Sequence, residues 1–192
     1  MKMLFRHILT GIALLSALPF ILSFQVKRIF IGKQRAFVGS SQALSLFPGI
    51  IGQFLRRGFY VMTLKHCSPR STIDFGTFFP STDVILRDHV YVGAYCILAP
   101  CVIEKDVIVG SSVHIASKDT HFFSSADIPI RQQGGSWDPI TIGRDCWIGN
   151  NVIIMNDIGE QCIIGAGSVV VNPVEPQSIA AGNPARVIRK RS

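Results

Sequence analysis

The fold of this chain is most constrained by an apolar residue that recurs about every six positions between Leu86 and Val170. Glycine follows the repeated residue in half of the repeats, as in Ile148-Gly149. A six-residue period fits neither an amphipathic helix nor an alternating strand. It fits a parallel β-helix, in which each coil has three short faces and every sixth side chain points inward. The repeated residues are Leu86, Val92, Leu98, Ile103, Val109, Ile115, Ile142, Ile148, Ile154, Ile158, Ile164 and Val170.

The same pattern predicts how the coils are built. Each coil covers the apolar face of its neighbour, so several coils must stack for stability. Six residues per face give about four to six coils. The glycines are expected to provide the unusual backbone angles of tight corners. The steps from Leu98 to Ile103 and from Ile154 to Ile158 are shorter than six residues, and we expect corners to absorb them.

A long segment, residues 118–141, interrupts the repeat. It begins Lys118-Asp119-Thr120-His121 and contains Pro129, Gly134, Gly135 and Pro139, which mark a loop. Long loops in compact domains are usually functional or disordered, and regular coils on both sides fix the ends of this one. The sequence therefore predicts a functional loop that protrudes from the β-helix domain, residues 65–192, which ends in a proline-containing tail, residues 172–192.

Residues 1–64 are expected to form a helical, membrane-associated unit. The stretch from Ile8 to Gln25 has no charged residue and is at the short end of what spans a bilayer. Basic residues flank both ends, so whether the segment spans the membrane or lies in its interface stays open. A cleavable signal peptide is disfavoured because no Ala-x-Ala-like site closes the run. A helix within residues 37–64 either lies on the membrane or covers the open end of the β-helix.

Charge and cysteine content narrow the function classes. The formal net charge is +7, and the basic residues cluster around the apolar segments and at the C-terminus. That distribution favours anionic lipid headgroups and a phosphorylated ligand over nucleic acid, because the repeat lacks interleaved aromatic and basic residues. The five cysteines have no C-x-x-C spacing, which favours a reducing compartment and small packing residues over disulfides or a zinc site.

Three stretches resemble the hexapeptide-repeat acyltransferases, in particular the branch that O-acetylates sugars and polysaccharides. They are Ile142-Gly143-Arg144-Asp145-Cys146-Trp147-Ile148-Gly149-Asn150, Ile164-Gly165-Ala166-Gly167-Ser168-Val169-Val170 and Ala181-Gly182-Asn183-Pro184-Ala185-Arg186-Val187-Ile188-Arg189. The resemblance covers about residues 70–192. It implies a left-handed parallel β-helix, a homotrimer, and acetyl-CoA held in a cleft between neighbouring subunits. No metal is implied.

The resemblance also implies site residues. His121 stands at the position of the family's catalytic histidine, and imidazole suits a general base near neutral pH. Asp119 is a candidate to orient it. Trp147 matches a position near the acceptor. The remaining matches are to acetyl-CoA contacts, through the backbone at Asn150 and Ala166 and through guanidinium–phosphate pairs at Arg186 and Arg189.

Two departures from the family pattern concern the ligands. Val171 and Asn172 stand where soluble members commonly have Thr-Lys, so one phosphate contact is expected to be absent. Ala94 stands where soluble members carry an asparagine that faces the histidine. The acceptor pocket is therefore expected to differ, and small free sugars are doubtful acceptors.

The sequence as a whole predicts an acetyl-CoA-dependent O-acetyltransferase. Its acceptor would be a cell-surface polysaccharide sugar or a lipid-linked precursor at the cytoplasmic face of the membrane. The alternatives are N-acylation of an amino sugar or nucleotide sugar, and a non-catalytic β-helix scaffold. A zinc hydratase like the γ-type carbonic anhydrases is disfavoured, because His89, His114 and His121 do not repeat with coil spacing.

Overall fold

The structure is a computed structural model that describes residues 2–116, 121–136 and 138–191, with the backbone alone for residues 2–10. Three helices come first: α1 (Lys2–Ile31), α2 (Lys33–Ser45) and α3 (Gly49–Thr63). Gly32 separates α1 from α2 with a φ of 80°, in the left-handed region that glycine adopts readily. Pro48 precedes α3, where its fixed φ and missing N–H are tolerated.

The rest of the chain is a parallel β-solenoid of short strands. They are β1 (His66–Cys67), β2 (Thr72–Ile73), β3 (Val84–Leu86), β4 (Tyr91–Val92), β5 (Ile97–Leu98), β6 (Cys101–Ile103), β7 (Ile108–Val109), β8 (His114–Ile115), β9 (Ile140–Ile142), β10 (Trp147–Ile148), β11 (Ile153–Ile154), β12 (Ile163–Ile164), β13 (Val169–Val170), β14 (Ser178–Gly182) and β15 (Ala185–Lys190). A short 3₁₀ turn covers Ile130–Gln132.

These strands form three faces. Face 1 contains β1, β3, β6 and β9; face 2 runs from β2 through β4, β7, β10, β12 and β14 to β15; face 3 contains β5, β8, β11 and β13. Pairing is parallel throughout, except that β15 folds back antiparallel on β14. The predicted parallel β-helix with an N-terminal helical segment is confirmed, while its left-handed winding stays an implication of the resemblance.

The apolar residues that recur about every six positions, here called the ladder residues, form the solenoid core. They fall into three stacks, one behind each face, and every one of them is buried. In the face 2 stack, Val92 pairs with Val109, Val109 with Ile148, and Ile148 with Ile164. Each two-residue strand buries one side chain and turns its neighbour outward, and the three-residue strands β3, β6 and β9 bury the first and third, as alternation along a strand requires.

The glycines that follow the ladder residues serve a purpose other than the one expected. None of Gly93, Gly110, Gly143, Gly149, Gly159 and Gly165 is among the positive-φ residues. They are small because the next coil lies against them: a Cβ on Gly143 would stand 2.4 Å from the Glu160 nitrogen. The left-handed corner conformations belong instead to polar or aromatic residues such as Asp106 and Asn151. The corner-angle explanation was therefore wrong, and close approach of coils is the physical reason.

The helices close the N-terminal end of the solenoid. Tyr60 of α3 packs edge-on against Phe79, with ring centroids 4.7 Å apart, and its hydroxyl bonds the Ser41 hydroxyl of α2 at 2.7 Å. Phe37 of α2 stacks on Phe59 of α3 at 6.0 Å. One continuous apolar core runs from α1 into the last coil. Covering the open end in this way buries apolar side chains that the first coil would otherwise expose.

The segment 37–64 is two helices rather than one. The end of α2 is held by the completely buried Arg56 of α3. Its Nη1 donates to the carbonyls of Leu44 at 3.2 Å and Phe47 at 2.7 Å, and its Nε to Ile73 at 3.0 Å. A guanidinium suits the unsatisfied carbonyls of a helix C-terminus. Burial lowers the pKa of Arg56, although Tyr60 and Asp74 oppose that effect.

Candidate active site

The loop that carries His121 leaves the solenoid between β8 on face 3 and β9 on face 1. His121 is exposed on this loop. The next residue is anchored, because the Phe122 N–H donates to the Gly134 carbonyl at 3.1 Å and ties the two sides of the loop together. Asp119 lies outside the described residues, so its role in orienting His121 stays a prediction.

Gln133 is the internal brace of this loop. Its Oε1 accepts from the Ser125 N–H at 3.1 Å, and its Nε2 donates to the carbonyls of Ser125 at 2.8 Å and Ile128 at 2.6 Å. One side chain therefore satisfies three backbone groups across the loop. Gln133 was not among the predicted site residues, because nothing in the sequence distinguishes it from the adjacent Gln132.

Three of the predicted ligand-binding residues meet in one cleft. Trp147, Asn150 and Ala166 line a cleft of about 230 Å³ together with Gly149, Ile163, Ile164 and Gly165. Trp147 is 56% exposed although it is large and apolar. A Cβ at residue 149 would stand 2.5 Å from the Ala166 nitrogen, so the two coils touch through their backbones here. Coil stacking thus brings together residues that are 19 positions apart in sequence, from 147 to 166.

Asn150 is fixed from both sides of its coil. Its Oδ1 accepts from the Ser111 N–H at 2.8 Å, and its carbonyl accepts from the Gly167 N–H at 2.8 Å. These contacts connect three successive coils at the corner between face 2 and face 3. The backbone around Asn150 is therefore held rigidly, as a site for a developing negative charge requires.

The two predicted phosphate-binding arginines lie on β15, along the same face as the cleft. Trp147 pairs with Ile163, Ile163 with Ile179, and Ile179 with Arg189. Three strand spacings separate Trp147 from Arg189, which is about 14 Å. Arg186 pairs with Ala181 in the same hairpin. Both guanidinium groups are exposed, and each donates to the carbonyl of an adjacent residue, Ala185 or Lys190.

The described residues that line the cleft come from β10, β12 and the turns that follow them. The loop with His121 arises at a different corner of the solenoid, where face 3 meets face 1. The fold therefore places the candidate base and the candidate cofactor cleft at two different corners of the solenoid.

A larger cavity lies at the root of the loop. It has a volume of about 870 Å³, and its wall includes Gln34 of α2, Lys65, Asp83, His114 and Pro139. Its floor is formed by outward-facing apolar residues such as Ile85 and Val102. His114 points outward from its strand and lines this cavity. The position of the missing family asparagine, Ala94, is half-buried and adjoins the exposed Tyr95.

A polar cluster on face 2 was not predicted either. The Tyr91 hydroxyl donates to Asp74 at 3.1 Å, and Gln53 of α3 donates to the same carboxylate at 3.2 Å. Burial would raise the pKa of Asp74, but hydrogen bonds from Gln53, the Phe75 N–H and Tyr91 outweigh it, and the pKa lies below its ordinary value. Tyr91 belongs to the same outward row as Trp147, two strands away.

No metal site emerges from the part of the chain that the structure describes, where no three His, Cys, Asp or Glu side chains gather. All five cysteines are buried free thiols. Burial raises the pKa of Cys67 and of Cys101 to about 12, so these two behave as packing residues. The pKa of Cys162 is lowered instead, mainly by its hydrogen bond with Cys146.

Solved structures of known proteins share this fold. A hexapeptide-repeat-containing acetyltransferase from Vibrio cholerae is 24% identical with a TM-score of 0.70, over 83% of this chain and 93% of that one. That protein has also been solved with acetyl-CoA bound. A maltose O-acetyltransferase from Clostridium difficile is 24% identical with a TM-score of 0.71, over 83% of this chain and 87% of that one.

A galactoside acetyltransferase solved with coenzyme A is 21% identical with a TM-score of 0.62, over 85% of this chain and 84% of that one. No protein-family model matches the chain, and no curated protein does so either. At these identities the likeness shows the fold. The chain therefore has the fold of the hexapeptide-repeat acetyltransferases, in agreement with the resemblance seen in the sequence.

Proposed function

We propose that this protein is an acetyl-CoA-dependent O-acetyltransferase that modifies a sugar hydroxyl of a cell-surface polysaccharide or its lipid-linked precursor. The observation that carries the proposal is the cleft at Trp147, Asn150 and Ala166, continued along the same face to Arg186 and Arg189. An apolar aromatic wall, a rigid backbone corner and two exposed guanidinium groups suit an acyl thioester attached to a phosphorylated nucleotide. Neighbours with this fold bind acetyl-CoA or coenzyme A.

We propose a homotrimer in which neighbouring subunits share each active site. The support is that the loop with His121 and the cleft lie at different corners of the solenoid. Packing one subunit's corner between faces 3 and 1 against its neighbour's corner between faces 2 and 3 unites the two halves. Three-fold symmetry repeats that heterologous contact and closes the ring.

In the proposed reaction, His121 removes the proton of the sugar hydroxyl as its oxygen attacks the thioester carbonyl. The backbone N–H at Asn150 stabilises the negative charge that develops on the carbonyl oxygen. The carbon–sulfur bond breaks, the acetyl group stays on the sugar oxygen, and the departing sulfur takes the proton from the His121 imidazolium. Asp119 is assigned the orientation of the imidazole, through its carboxylate.

We assign the acceptor to the cavity at the loop root. Its mixture of an apolar floor with Gln34, Lys65, Asp83 and His114 suits a saccharide, which has both hydroxyl groups and apolar ring faces. A volume of about 870 Å³ accommodates more than one sugar ring, in keeping with a polysaccharide or its precursor. We place the reaction at the cytoplasmic face of the membrane, where acetyl-CoA and lipid-linked precursors are both at hand.

The test measures how much CoA the protein releases from acetyl-CoA when each of a panel of polysaccharide precursors is supplied as the acceptor. His121→Ala should lower kcat at least about 100-fold, the usual contribution of a general base, while acetyl-CoA still binds. His66→Ala, an exposed histidine in the first coil, is the matched control and should retain turnover. Treating the product with mild base separates the two acylation chemistries, since O-acetyl esters hydrolyse and N-acetyl amides persist. Full turnover by His121→Ala would refute the assigned base, and absence of CoA binding would favour the scaffold alternative.

A further inference from the structure

We infer that the outer face of α1 is a membrane-binding surface that lies in the headgroup region of an anionic bilayer and does not cross it. We call this the docking surface. It consists of Leu15, Leu18, Leu22, Val26 and Ile29, all exposed. At 100° per residue these five side chains fall within about 80° of the helix circumference.

The opposite face of α1 is already occupied. Ala13, Ala17, Ile21 and Phe24 are buried against the other helices. The contact with α3 is intimate, because a Cβ at Gly58 would stand 2.1 Å from the Ala13 carbonyl oxygen. α1 is thus a helix with two apolar faces, one packed on the protein and one without a partner among the described residues.

This packing excludes a spanning orientation. By length and composition, Gly11–Ile31 is long and apolar enough to cross a membrane. α3, however, packs against both α1 and the first solenoid coil, so a spanning α1 would pull that junction into the hydrocarbon. The exposed Lys65 and His66, where α3 meets the first coil, would then lose access to water. A helix that binds lipid with one face and protein with the other lies along the interface.

The charge distribution identifies the bilayer as anionic. All twelve acidic residues of the chain come at or after Asp74, while eight lysines and arginines lie within residues 1–64. Four of the eight are exposed around the junction of α1 and α2: Lys27, Arg28, Lys33 and Arg35. At the same junction Ile29 and Phe30 are 78% and 80% exposed. Apolar side chains flanked by cations, on helices whose sequence has no acidic residue, complement anionic headgroups over an acyl layer.

The turn between α2 and α3 also exposes apolar side chains, but it contacts a different side of α1. Phe47 in this turn packs edge-on against Phe20 of α1, with centroids 5.6 Å apart. Its neighbours Leu46, Ile50 and Ile51 are each 69% exposed. Phe20 lies about 160° around the helix from Leu22, so the turn sits on the other side of α1 and is not part of the docking surface.

The docking surface also adjoins the proposed acceptor cavity. Gln34 lines that cavity and donates to the Pro80 carbonyl, and it stands between the exposed Lys33 and Arg35. A lipid-linked saccharide would thus reach the cavity from the membrane plane. This last step rests on the proposed function; the docking surface itself does not.

The test is flotation of the purified full-length protein with lipid vesicles. Binding is expected to vesicles of phosphatidylcholine with phosphatidylglycerol, to weaken at least tenfold with phosphatidylcholine alone, and to weaken as salt rises. Leu22→Glu and Ile29→Glu should each reduce binding at least tenfold. Met155→Glu, which adds the same charge at an exposed apolar residue of the solenoid, should bind as the unmodified protein does. All three variants should keep their turnover with a water-soluble acceptor.

Alkaline carbonate should release the bound protein from the vesicles, and retention after that wash would overturn the inference in favour of a spanning helix. Unchanged binding by both glutamate variants would overturn it as well. The inference would also be overturned if a second copy of the chain covers this surface. In that case the protein would not bind vesicles, and Leu22→Glu would dissociate the oligomer. If the unmodified protein binds vesicles but shows no turnover, the proposed function is refuted and the docking surface stands.

Discussion

Gly149 lies against Ala166 so closely that a Cβ at residue 149 would stand 2.5 Å from the Ala166 backbone nitrogen and 2.8 Å from its Cα. Both residues line the candidate cofactor cleft. The same contact therefore sets the spacing of two coils and the shape of the cleft. A change at Gly149 should disturb stability and ligand binding together.

Gly149→Ala is expected to destabilise the protein by about 3 kcal/mol, because the backbone atoms of the next coil cannot move away as a flexible side chain would. Binding of acetyl-CoA should weaken in the same variant, since the coils around Asn150 must separate. Thermal unfolding and titration calorimetry with acetyl-CoA measure the two effects.

Gly39→Ala is the matched control for that experiment. Gly39 lies in α2, where an added Cβ would meet no atom within 4 Å, and it has ordinary helical geometry. This substitution should raise stability by about 0.5–1 kcal/mol, as expected for alanine in a helix, and leave acetyl-CoA binding unchanged. Equal behaviour of the two variants would argue against coil contact as the reason for Gly149.

The loop brace at Gln133 gives a kinetic prediction. Gln133→Leu removes all three hydrogen bonds that its side chain makes with Ser125 and Ile128, while keeping similar size. The loop that carries His121 should then lose its defined position, and kcat should fall about tenfold or more, because small misplacements of a catalytic group are costly.

A positioning role for Gln133 has its own signature. The affinity for acetyl-CoA should stay unchanged, because the cleft residues lie outside the loop. Gln132→Leu, at the neighbouring position, serves as the control and should keep kcat. A fall in acetyl-CoA affinity with unchanged kcat would show that the loop acts on the cofactor side.

The regular parts of the fold could be predicted from the sequence because a single physical rule generates them. Burial of one side chain in every six leaves a periodic signal, and all twelve ladder residues are buried as that signal requires. The purpose of the glycines could not be read in the same way. A corner angle and a close coil contact both demand a missing Cβ, and only the three-dimensional arrangement separates them.

The candidate site was predictable only in part, for a similar reason. Trp147, Asn150 and Ala166 stand in the regular coils, so the repeat brings them together. The cluster of Asp74, Tyr91 and Gln53 depends on how α3 sits on the first coils, which leaves no periodic trace in the sequence. The brace at Gln133 depends on the path of an irregular loop, where no repeat constrains the chain.

Arg56 is expected to be essential for the helical cap. Arg56→Met fills similar space but leaves the carbonyls of Phe47 and Ile73 without the guanidinium donors, at a cost of about 3 kcal/mol or more. Arg57→Met is the control, since Arg57 lies over the Phe54 ring at 4.6 Å and should cost less than about 1 kcal/mol. Chemical denaturation of both variants measures the difference. Similar losses in the two would mean that Arg56 contributes no more than packing.

Asp74 provides a prediction about pH. Its pKa is lower in the folded protein than its ordinary value, so the stabilisation it provides is present above that ordinary value, near pH 4, and is lost as the pH falls through the folded pKa. The side chain is partly exposed, which limits the effect to less than about 1 kcal/mol. Asp74→Asn should therefore lower the melting temperature at pH 7 and make less difference as the pH falls through the folded pKa, because the unmodified carboxyl then becomes protonated too. Thermal unfolding from pH 3 to 8 tests this, with Asp83→Asn as a control for the loss of one negative charge. A constant difference between Asp74→Asn and the unmodified protein at every pH would mean that hydrogen-bond geometry, and not charge, is what Asp74 contributes.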